Sequence, residues 1–431
     1  MRSNLALALY YAKASKYSMN ALLGALEADP RLADLAVYRL RTEKELVEGL
    51  APILNDHARV IVGVSFCTAA LFEIERLAGR IRQRYGARPL LLAGGPHPTG
   101  DPAGTLAMGF DAVVRGEAEE TFGEALRRID AGEDFRTVEG VAALDGEGAL
   151  RFTPRTRPVD LDAFPPFSLR HQAVGPIEIT RGCPFACAYC QTTHLFGARV
   201  RHRSVEAICE SARRLRAARF RSVRFVTPNA FAYGSPDGRR LNLAALEALL
   251  ASLARIVKPG GTLALGCFPS EVRPEHVTSE TLALVRRYAD NESLIIGAQS
   301  GSQRILDACR RQHTVEDVYR AVELTRAAGL GANVDFIFGL PGEEEDDMAA
   351  TLRAIEDLAG LGARIHAHTF LPLPQTAFAA ALPRPIPPAI RRAIDRMAGR
   401  GLLYGSWRQQ EALGRRFAAR QCPKNEIGFV V

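Results

Sequence analysis

The sequence has none of the features of a membrane-spanning or secreted protein. No apolar run in its 431 residues reaches the length needed to cross a bilayer. The short apolar run near the N-terminus, LALALYY, has neither a convincing basic segment before it nor a small-residue cleavage site after it. We therefore expect no membrane association and a cytoplasmic location.

Lysine is scarce, since only five of the 55 basic residues are lysines and the rest are arginines. The formal net charge of +7 would suit an acidic partner. However, the arginines are spread along the chain and interleaved with Asp and Glu, and such a composition is typical of a GC-rich genome. Because the sequence has no dense basic stripe, nucleic acid is not an expected partner.

Cysteine is also sparse, and five of the eight cysteines are isolated, most of them in apolar or helical contexts. Isolated cysteines are usually small buried hydrophobes, and a disulfide framework is not expected in a large cytoplasmic chain. The other three fall within eight residues of the segment RGCPFACAYC, as Cys183, Cys187 and Cys190. That segment lacks a fourth cysteine, and this absence bears on its chemistry.

Strand and helix patterns alternate along the chain, which predicts an α/β protein. Continuous apolar runs such as VIVGVSF predict a doubly wound, Rossmann-like sheet over residues 1–130. Residues 131–174 are rich in Gly, Pro and Asp and predict a hairpin and a linker. Residues 175–375 contain six strand–helix units, which can close only a partial (β/α)6 barrel. Residues 376–431 are expected to form a Pro-rich and helical cap.

The C-x3-C-x2-C spacing of the three cysteines favours an iron–sulfur cluster. Three thiolates hold three irons of a 4Fe-4S cubane, and the fourth iron is left without a protein ligand. Such an open metal position suits a reactive site. The alternative is a structural zinc site completed by His194, four residues after Cys190. Structural zinc sites more often pair two ligands on each of two knuckles, so we favour the cluster.

The segment CPFACAYC, which follows a strand and opens a six-unit barrel, resembles the radical S-adenosylmethionine (SAM) superfamily. In that family the unligated iron binds the amino and carboxylate groups of SAM, and an electron then cleaves SAM to a 5′-deoxyadenosyl radical. The resemblance covers about residues 175–375. It implies a 4Fe-4S cluster on Cys183, Cys187 and Cys190, SAM as a cofactor, and an external electron donor of the flavodoxin or ferredoxin type.

The same resemblance implies that SAM is contacted by residues at the ends of the barrel strands. An aromatic residue precedes the third cysteine in the family, as Tyr189 does here. The family's usual Gly-Gly-Glu after the second strand is absent from FVTPNAFAYG. The expected SAM-binding residues are Tyr189, Thr227, Asn229, Ser270, Glu271, Arg273, Gln299, Ser300 and Phe338.

Three loops of the N-terminal domain, VGVSFCT, GGPHPT and VVRGEAE, resemble the cobalamin-binding domain that is fused to many radical SAM enzymes. In those domains the glycine pair borders the nucleotide tail of the cofactor. The histidine of the D-x-H-x-x-G loop is missing from YYAKASKYS, so a cobalt ligand is not expected there. The expected cobalamin-binding residues are Ser65, Cys67, Thr68, Gly94, Gly95, Pro96, His97, Thr99, Gly116 and Glu117.

Together, the two resemblances imply a cobalamin-dependent radical SAM enzyme. A methyltransferase is the first expectation, with methylcobalamin as the methyl donor and an unactivated carbon as the acceptor. A cyclase or rearrangement enzyme and a non-enzymatic metal- or corrinoid-binding protein remain alternatives. A methylthiotransferase-like enzyme is disfavoured because the N-terminal region has a single cysteine, Cys67, where those enzymes bind a second cluster. A small-molecule or peptide substrate is expected, and no motif identifies it.

Overall fold

The computed structural model describes residues 4–421 of the chain. These residues form two compact units. The first unit comprises the residues up to Ala186, Gln191–Ser270 and Ala283–Asn291. The second unit comprises Cys187–Cys190, Glu271–Leu282 and the residues from Glu292 onward. The last ten residues of the cap predicted over 376–431 lie outside the described residues.

A seven-stranded sheet forms the N-terminal part of the first unit, in the order β2-β1-β3-β4-β5-β6-β7. The first five strands in this order are parallel, and β6 and β7 add an antiparallel hairpin. The strands are β1 (Leu5–Tyr10), β2 (Ala36–Leu40), β3 (Arg59–Ser65), β4 (Pro89–Gly94), β5 (Ala112–Val114), β6 (Val141–Leu144) and β7 (Leu150–Phe152).

Helices separate the parallel strands, as the sequence predicts. The continuous apolar runs of β1 and β3 are buried along nearly their whole length, as expected for central parallel strands. Residues of the first and last of these helices, such as Met19 and Phe122, share one hydrophobic core with β1. The helices are α1 (Lys16–Ala28), α2 (Glu43–Asp56), α3 (Leu71–Tyr85), α4 (Pro96–Gly100), α5 (Pro102–Ala107) and α6 (Glu119–Ala131).

The rest of the first unit contains shorter strands. β8 pairs with β12 and β11 with β13, both in parallel, whereas β9 and β10 are antiparallel. The strands are β8 (Ile177–Glu178), β9 (Thr180–Arg181), β10 (Arg201–His202), β11 (Ser222–Val223), β12 (Phe225–Val226) and β13 (Thr262–Leu263). The next helices along the chain are α7 (Thr192–Phe196), α8 (Val205–Ala217), α9 (Leu243–Val257) and α10 (Ser279–Tyr288).

The apolar run TLALGCF predicts a strand over 262–268, but only its first two residues form one. The reason is that the Asn291 side chain forms hydrogen bonds with both backbone groups of Leu265. Its Oδ1 accepts the Leu265 N–H at 3.0 Å, and its Nδ2 donates to the Leu265 carbonyl at 2.6 Å. A side chain therefore occupies the backbone N–H and carbonyl of Leu265, which a neighbouring strand would otherwise bind.

A four-stranded parallel sheet forms the second unit, in the order β14-β15-β16-β17. The strands are β14 (Ser293–Gln299), β15 (Gly331–Phe338), β16 (Arg364–Thr369) and β17 (Leu403–Tyr404). The helices are α11 (Gln303–Ala308), α12 (Val315–Ala327), α13 (Glu345–Gly360), α14 (Pro388–Gly399) and α15 (Trp407–Gln421). The sequence does not predict β17, which has two residues and lies between two helices of the cap. None of the described helices combines the length and the apolar content needed to cross a bilayer.

Candidate functional site

A cavity of about 280 Å³ lies in the first unit at the carboxyl ends of β1, β3, β4 and β5. Ligands bind at this edge of parallel sheets because the connecting loops meet there. Apolar side chains such as Leu9, Leu92 and Phe122 form much of the wall, together with residues of α1. The predicted cobalamin-binding residues that line the cavity are Ser65, Gly94, Gly95, Pro96, Thr99, Gly116 and Glu117.

Glycine at position 95 is required by its backbone and by its neighbours. Gly95 has φ of +93°, which favours glycine. A Cβ at this position would lie 2.6 Å from Ser65 Oγ and 3.0 Å from the Phe66 nitrogen. The chain can therefore bring the loops after β3 and β4 together at the cavity only because residue 95 has no side chain.

Three other predicted cobalamin-binding residues are not among those lining the cavity in the described part of the chain: Cys67, Thr68 and His97. His97 is buried and stacks on Phe66, with ring centroids 5.4 Å apart. Its Nδ1 lies 3.0 Å from Thr68 Oγ1. These contacts pack the His97 side chain of α4 against the segment that follows β3.

A buried ion-pair network forms part of the cavity wall, and no motif in the sequence indicates it. Arg181, at the end of β9, bonds to Glu117 at 2.8 Å and to Glu119 and Glu178 at 2.6 Å each. Arg201 bonds to the same Glu117 oxygen at 2.6 Å. Because these carboxylates belong to separate segments of the chain, the network ties the loop after β5 to β8, β9 and β10.

The network fixes the protonation of Glu119. Burial acts to raise the pKa of this carboxyl group, but the guanidinium of Arg181 outweighs burial, so the pKa lies below its ordinary value. Glu117 uses its other oxygen to accept the Val159 N–H at 2.9 Å. Its carboxylate holds the cavity wall together and also lines the cavity, so the cofactor contact expected of Glu117 stays a prediction.

Gln191, in the first unit, contacts the wall of the cavity. Gln191 immediately follows Cys190 in the sequence, and its Nε2 donates to the Pro96 carbonyl at 3.1 Å. Pro96 lines the cavity. The sequence carries no motif that would reveal this contact.

The three cysteines do not all belong to one unit, so each is described within its own. In the first unit, Cys183 follows β9; its N–H donates to the Gly197 carbonyl at 3.1 Å, and its carbonyl accepts the Thr193 hydroxyl at 2.8 Å. His194, the alternative zinc ligand, belongs to α7 and is exposed. None of the cysteines among residues 4–421 is in a disulfide.

In the second unit, a buried arginine lies beside one of the cysteines. Arg311 Nη1 is 3.8 Å from Cys187 Sγ, and its Nη2 donates to the Gly297 carbonyl at 2.7 Å. Its Nε is buried without a hydrogen-bond partner among the described residues. A buried cation needs an anionic counterpart. The thiolate form of Cys187 supplies one, and a cluster bound through three thiolates carries net negative charge. The donor set therefore fits an iron–sulfur cluster.

Polar groups converge on Gly297, which belongs to β14. A Cβ at this position would lie 2.6 Å from Arg311 Nη2, 2.8 Å from Gln299 Nε2 and 3.1 Å from Glu271 Oε2. Gln299 has φ of +74°, unusual for a residue with a side chain, and lies where the β14–β15 register shifts. Burial raises the pKa of Glu271 and holds that of Tyr189 well above its usual range. The structure thus brings together two predicted SAM-binding residues, Glu271 and Gln299, and adds Arg311.

The remaining predicted SAM-binding residues of the second unit are occupied by local contacts. Arg273 is buried, pairs with Glu275, and donates to the Arg311 carbonyl. Ser300 Oγ lies 3.2 Å from Thr351 Oγ1 and accepts the Ser302 N–H. The Phe338 side chain is fully buried. These residues shape the ends of β14 and β15 in the structure.

The predicted SAM-binding residues of the first unit are likewise buried. Thr227 Oγ1 donates to the Asn229 carbonyl at 3.2 Å, so these two residues form a local turn after β12. The Ser270 hydroxyl donates to the Phe225 carbonyl. A ligand contact by Thr227 or Ser270 would therefore compete with an existing hydrogen bond.

Comparison with known protein families identifies two regions of the chain. Residues 6–126 match the family model of the B12 binding domain, and residues 177–355 match that of the radical SAM superfamily. The chain is a B12-binding radical SAM protein. The paired B12-binding and radical SAM regions confirm the family that the two resemblances imply.

Two curated relatives cover most of this B12-binding radical SAM chain. Uncharacterized protein MK0932 of Methanopyrus kandleri is 27% identical in an alignment 427 residues long that covers 86% of this chain and 77% of the relative. Uncharacterized methyltransferase PH0819 of Pyrococcus horikoshii is 27% identical in an alignment 353 residues long that covers 76% of this chain and 72% of the relative.

Solved structures share the fold. The radical SAM methyltransferase TsrM from Kitasatospora setae, with cobalamin and a [4Fe-4S] cluster bound, has a TM-score of 0.68 and 18% identity over 88% of this chain and 74% of its own. The cobalamin-dependent SAM radical enzyme OxsB, with aqua-cobalamin bound, has a TM-score of 0.61 and 17% identity over 82% of this chain and 52% of its own. The predicted fold class, a Rossmann-like B12-binding domain followed by a radical SAM partial barrel, is confirmed.

Proposed function

We propose that this chain is a cobalamin-dependent radical SAM methyltransferase that acts on an unactivated carbon. The observation that carries the proposal is the presence of a B12-binding region and a radical SAM region in one chain. The methyltransferase name of the Pyrococcus horikoshii relative and the fold shared with TsrM support methyl transfer as the reaction.

The chain's own residues would hold the iron–sulfur cluster and SAM. When bound, the cluster and SAM supply a 5′-deoxyadenosyl radical, and methylcobalamin supplies the methyl group. Cys183, Cys187 and Cys190 would hold three irons of the cluster. Arg311 donates toward the Cys187 thiolate and balances its charge. Glu271 and Gln299, which converge on Gly297, are the side chains best placed to orient SAM in the second unit.

The cavity of the first unit would take cobalamin. Gly94 and Gly95 form a close backbone approach next to Ser65, which suits the nucleotide tail of the cofactor. The apolar wall excludes water from that part of the ligand. His97 is not proposed as a cobalt ligand, because its ring stacks on Phe66 and its Nδ1 contacts Thr68.

The reaction also needs partners that the chain does not supply. We propose a flavodoxin- or ferredoxin-type protein as the electron donor and a small molecule or peptide as the substrate. The free cysteines among residues 4–421 suit a reducing compartment, for which we propose the cytoplasm.

The test is SAM consumption by the reconstituted and reduced holoenzyme, with SAM labelled at the methyl group. 5′-Deoxyadenosine formation and transfer of the label to cobalamin are expected, followed by transfer to a product once a substrate is found. 5′-Deoxyadenosine without label on cobalamin or product would instead support a cyclase or rearrangement enzyme. A colourless, zinc-loaded protein that cannot cleave SAM after reduction would overturn the radical SAM proposal.

A further inference from the structure

Two neighbouring strands of the second unit bring a carboxylate and two imidazoles together. Asp335 of β15 lies directly opposite His366 of β16 in the parallel register, and His368 follows two residues later on the same face of β16. All three residues are half-buried, whereas the alternate residues of β15, such as Val334 and Phe336, are fully buried. The three side chains therefore share the more open face of the sheet.

The spacing of their polar atoms matches that of ligands around a metal ion. Asp335 Oδ1 lies 3.0 Å from His366 Nδ1, which lies 3.2 Å from His368 Nε2. One ligand atom from each residue lies within 4.8 Å of the other two. Ligands about 2.1 Å from a metal ion and at right angles to each other would lie about 3.0 Å apart. Within residues 4–421, this is the only such group of three His, Cys, Asp or Glu side chains.

Hydrogen bonds alone do not explain why these three polar atoms lie so close together. A ring nitrogen has either one proton or one lone pair, yet both Asp335 Oδ1 and His368 Nε2 approach His366 Nδ1. Whether His366 Nδ1 has its proton or its lone pair, only one of these two contacts is a hydrogen bond. A cation placed among the three atoms would be attracted by all of them.

Gln410 lies on the other side of the His368 ring. Its Oε1 accepts the Thr369 N–H at 2.9 Å, which turns its Nε2 toward His368 Nδ1 at 3.3 Å. Ligation through His368 Nε2 requires the proton to be on Nδ1, where a carboxylate or carbonyl oxygen is the usual partner. The Gln410 amide must therefore turn away when a metal binds, which lowers the affinity but leaves the three ligands in place.

We propose that Asp335, His366 and His368 form a binding site for a divalent first-row transition-metal ion. Two imidazoles and one carboxylate suit Zn²⁺, Fe²⁺ or Mn²⁺, and three protein ligands leave positions open for water or a substrate heteroatom. The site uses none of the cluster cysteines and does not depend on the proposed methyl transfer.

The test uses Zn²⁺ and the full chain carrying Cys183→Ala, Cys187→Ala and Cys190→Ala, which removes the competing thiolates. About one equivalent of zinc should remain after dialysis. Adding Asp335→Asn, which preserves the size of the side chain, should weaken binding at least tenfold. Adding His366→Ala should abolish it. Adding His57→Ala, which replaces a histidine of the first unit, should leave zinc binding unchanged. Zinc binding that is absent from this triple variant, or that survives both added substitutions, would overturn the proposal.

A second experiment does not depend on how well the triple cysteine variant folds. In the cluster-reconstituted wild-type chain, added Co²⁺ should give visible d–d absorption that is lost in Asp335→Asn at unchanged iron content. In Gln410→Glu the new carboxylate accepts the His368 Nδ1 proton, so Co²⁺ should bind more tightly than in the wild type. An unchanged affinity in Gln410→Glu would contradict ligation through His368 Nε2. Cobalt absorption that is missing in the wild type, or unaffected by Asp335→Asn, would contradict the site as a whole.

Discussion

Arg311 places a positive charge beside the buried Cys187, a proposed ligand of the cluster. Its guanidinium is almost fully buried, and its pKa is raised: burial acts to lower it, but Tyr189, Cys187 and Glu271 outweigh that effect. A positive charge beside a cluster sulfur stabilises the reduced cluster, which has the more negative net charge. At the scale of one residue, Arg311 would therefore make the proposed cluster easier to reduce.

Arg311→Met is therefore expected to make the reduction potential of the cluster more negative without loss of iron. The substitution removes the charge and the N–H donor to Cys187 Sγ while preserving an apolar stem. EPR-monitored redox titration measures the potential, and iron and sulfide analysis measures the loading. The matched control is Arg310→Met, which removes the same charge from an exposed neighbour. A potential that does not change, or that changes equally in both variants, would refute the electrostatic role.

Gly95→Ala tests the close approach of the loops at the cavity. The substitution places a Cβ 2.6 Å from Ser65 Oγ at a φ that disfavours side chains, so we expect a loss of about 2 kcal/mol in the free energy of unfolding and at least tenfold weaker cobalamin binding. Gly79→Ala is the control: its Cβ meets nothing within 4 Å in the helix α3, and alanine there should stabilise by about 0.5–1 kcal/mol. Thermal unfolding and the absorbance of bound cobalamin measure both effects. Unchanged cobalamin binding in Gly95→Ala would remove the glycine pair from the site.

At the scale of elements, the Arg181 network connects the loop after β5 to β8 and β9. Removing one member of a buried ion pair leaves its partners without their counter-charge. Arg181→Met should therefore lower the free energy of unfolding by about 3–5 kcal/mol at pH 7. Exposed Arg213, paired with Glu210, provides the control, for which Arg213→Met should change stability by less than about 1 kcal/mol. Urea unfolding followed by circular dichroism measures the difference.

The pH dependence of this difference has a defined sign. The pKa of Glu119 is lowered in the folded state, so the stability it contributes is fully present above its ordinary pKa of about 4.3 and is lost as the pH falls through the folded value. In Arg181→Met, burial without the guanidinium favours the protonated acid. The gap in unfolding free energy between wild type and Arg181→Met should therefore narrow from pH 7 to pH 4. A gap that widens on acidification would contradict the pairing.

The sequence predicts local elements well because they depend on local patterns. Continuous apolar runs locate β1 and β3, and the spacing of Cys183, Cys187 and Cys190 indicates the cluster chemistry. Contacts that depend on long-range pairing cannot be predicted in this way: in a chain with 50 arginines, nothing in the sequence marks Arg181 or Arg311 as buried.

Register explains the other omissions. Asp335 and His366 meet only because β15 and β16 pair with these two residues opposite each other. Likewise, the sequence predicts a longer strand after Thr262, and Asn291 shortens it by bonding to Leu265 from a distant position. Such features follow from tertiary structure, to which a single sequence gives no direct access.

At the scale of the whole molecule, the two cofactor regions occupy separate stretches of sequence, residues 6–126 and 177–355. Cofactor loading should therefore be separable. The variant lacking Cys183, Cys187 and Cys190 should lose the brown iron–sulfur absorbance and retain cobalamin, because none of the three lines the cavity of the first unit in the described structure.

Gly95→Ala should show the reverse loading, with iron and sulfide retained and cobalamin lost. Cys209→Ala, which removes a buried thiol of α8, should retain both cofactors. Absorbance spectra with iron, sulfide and cobalt analysis of each purified variant measure the loading. If both cofactors are lost together in either variant while far-UV circular dichroism is unchanged, binding of one depends on the other, and methyl transfer would then require the two sites to be assembled as one.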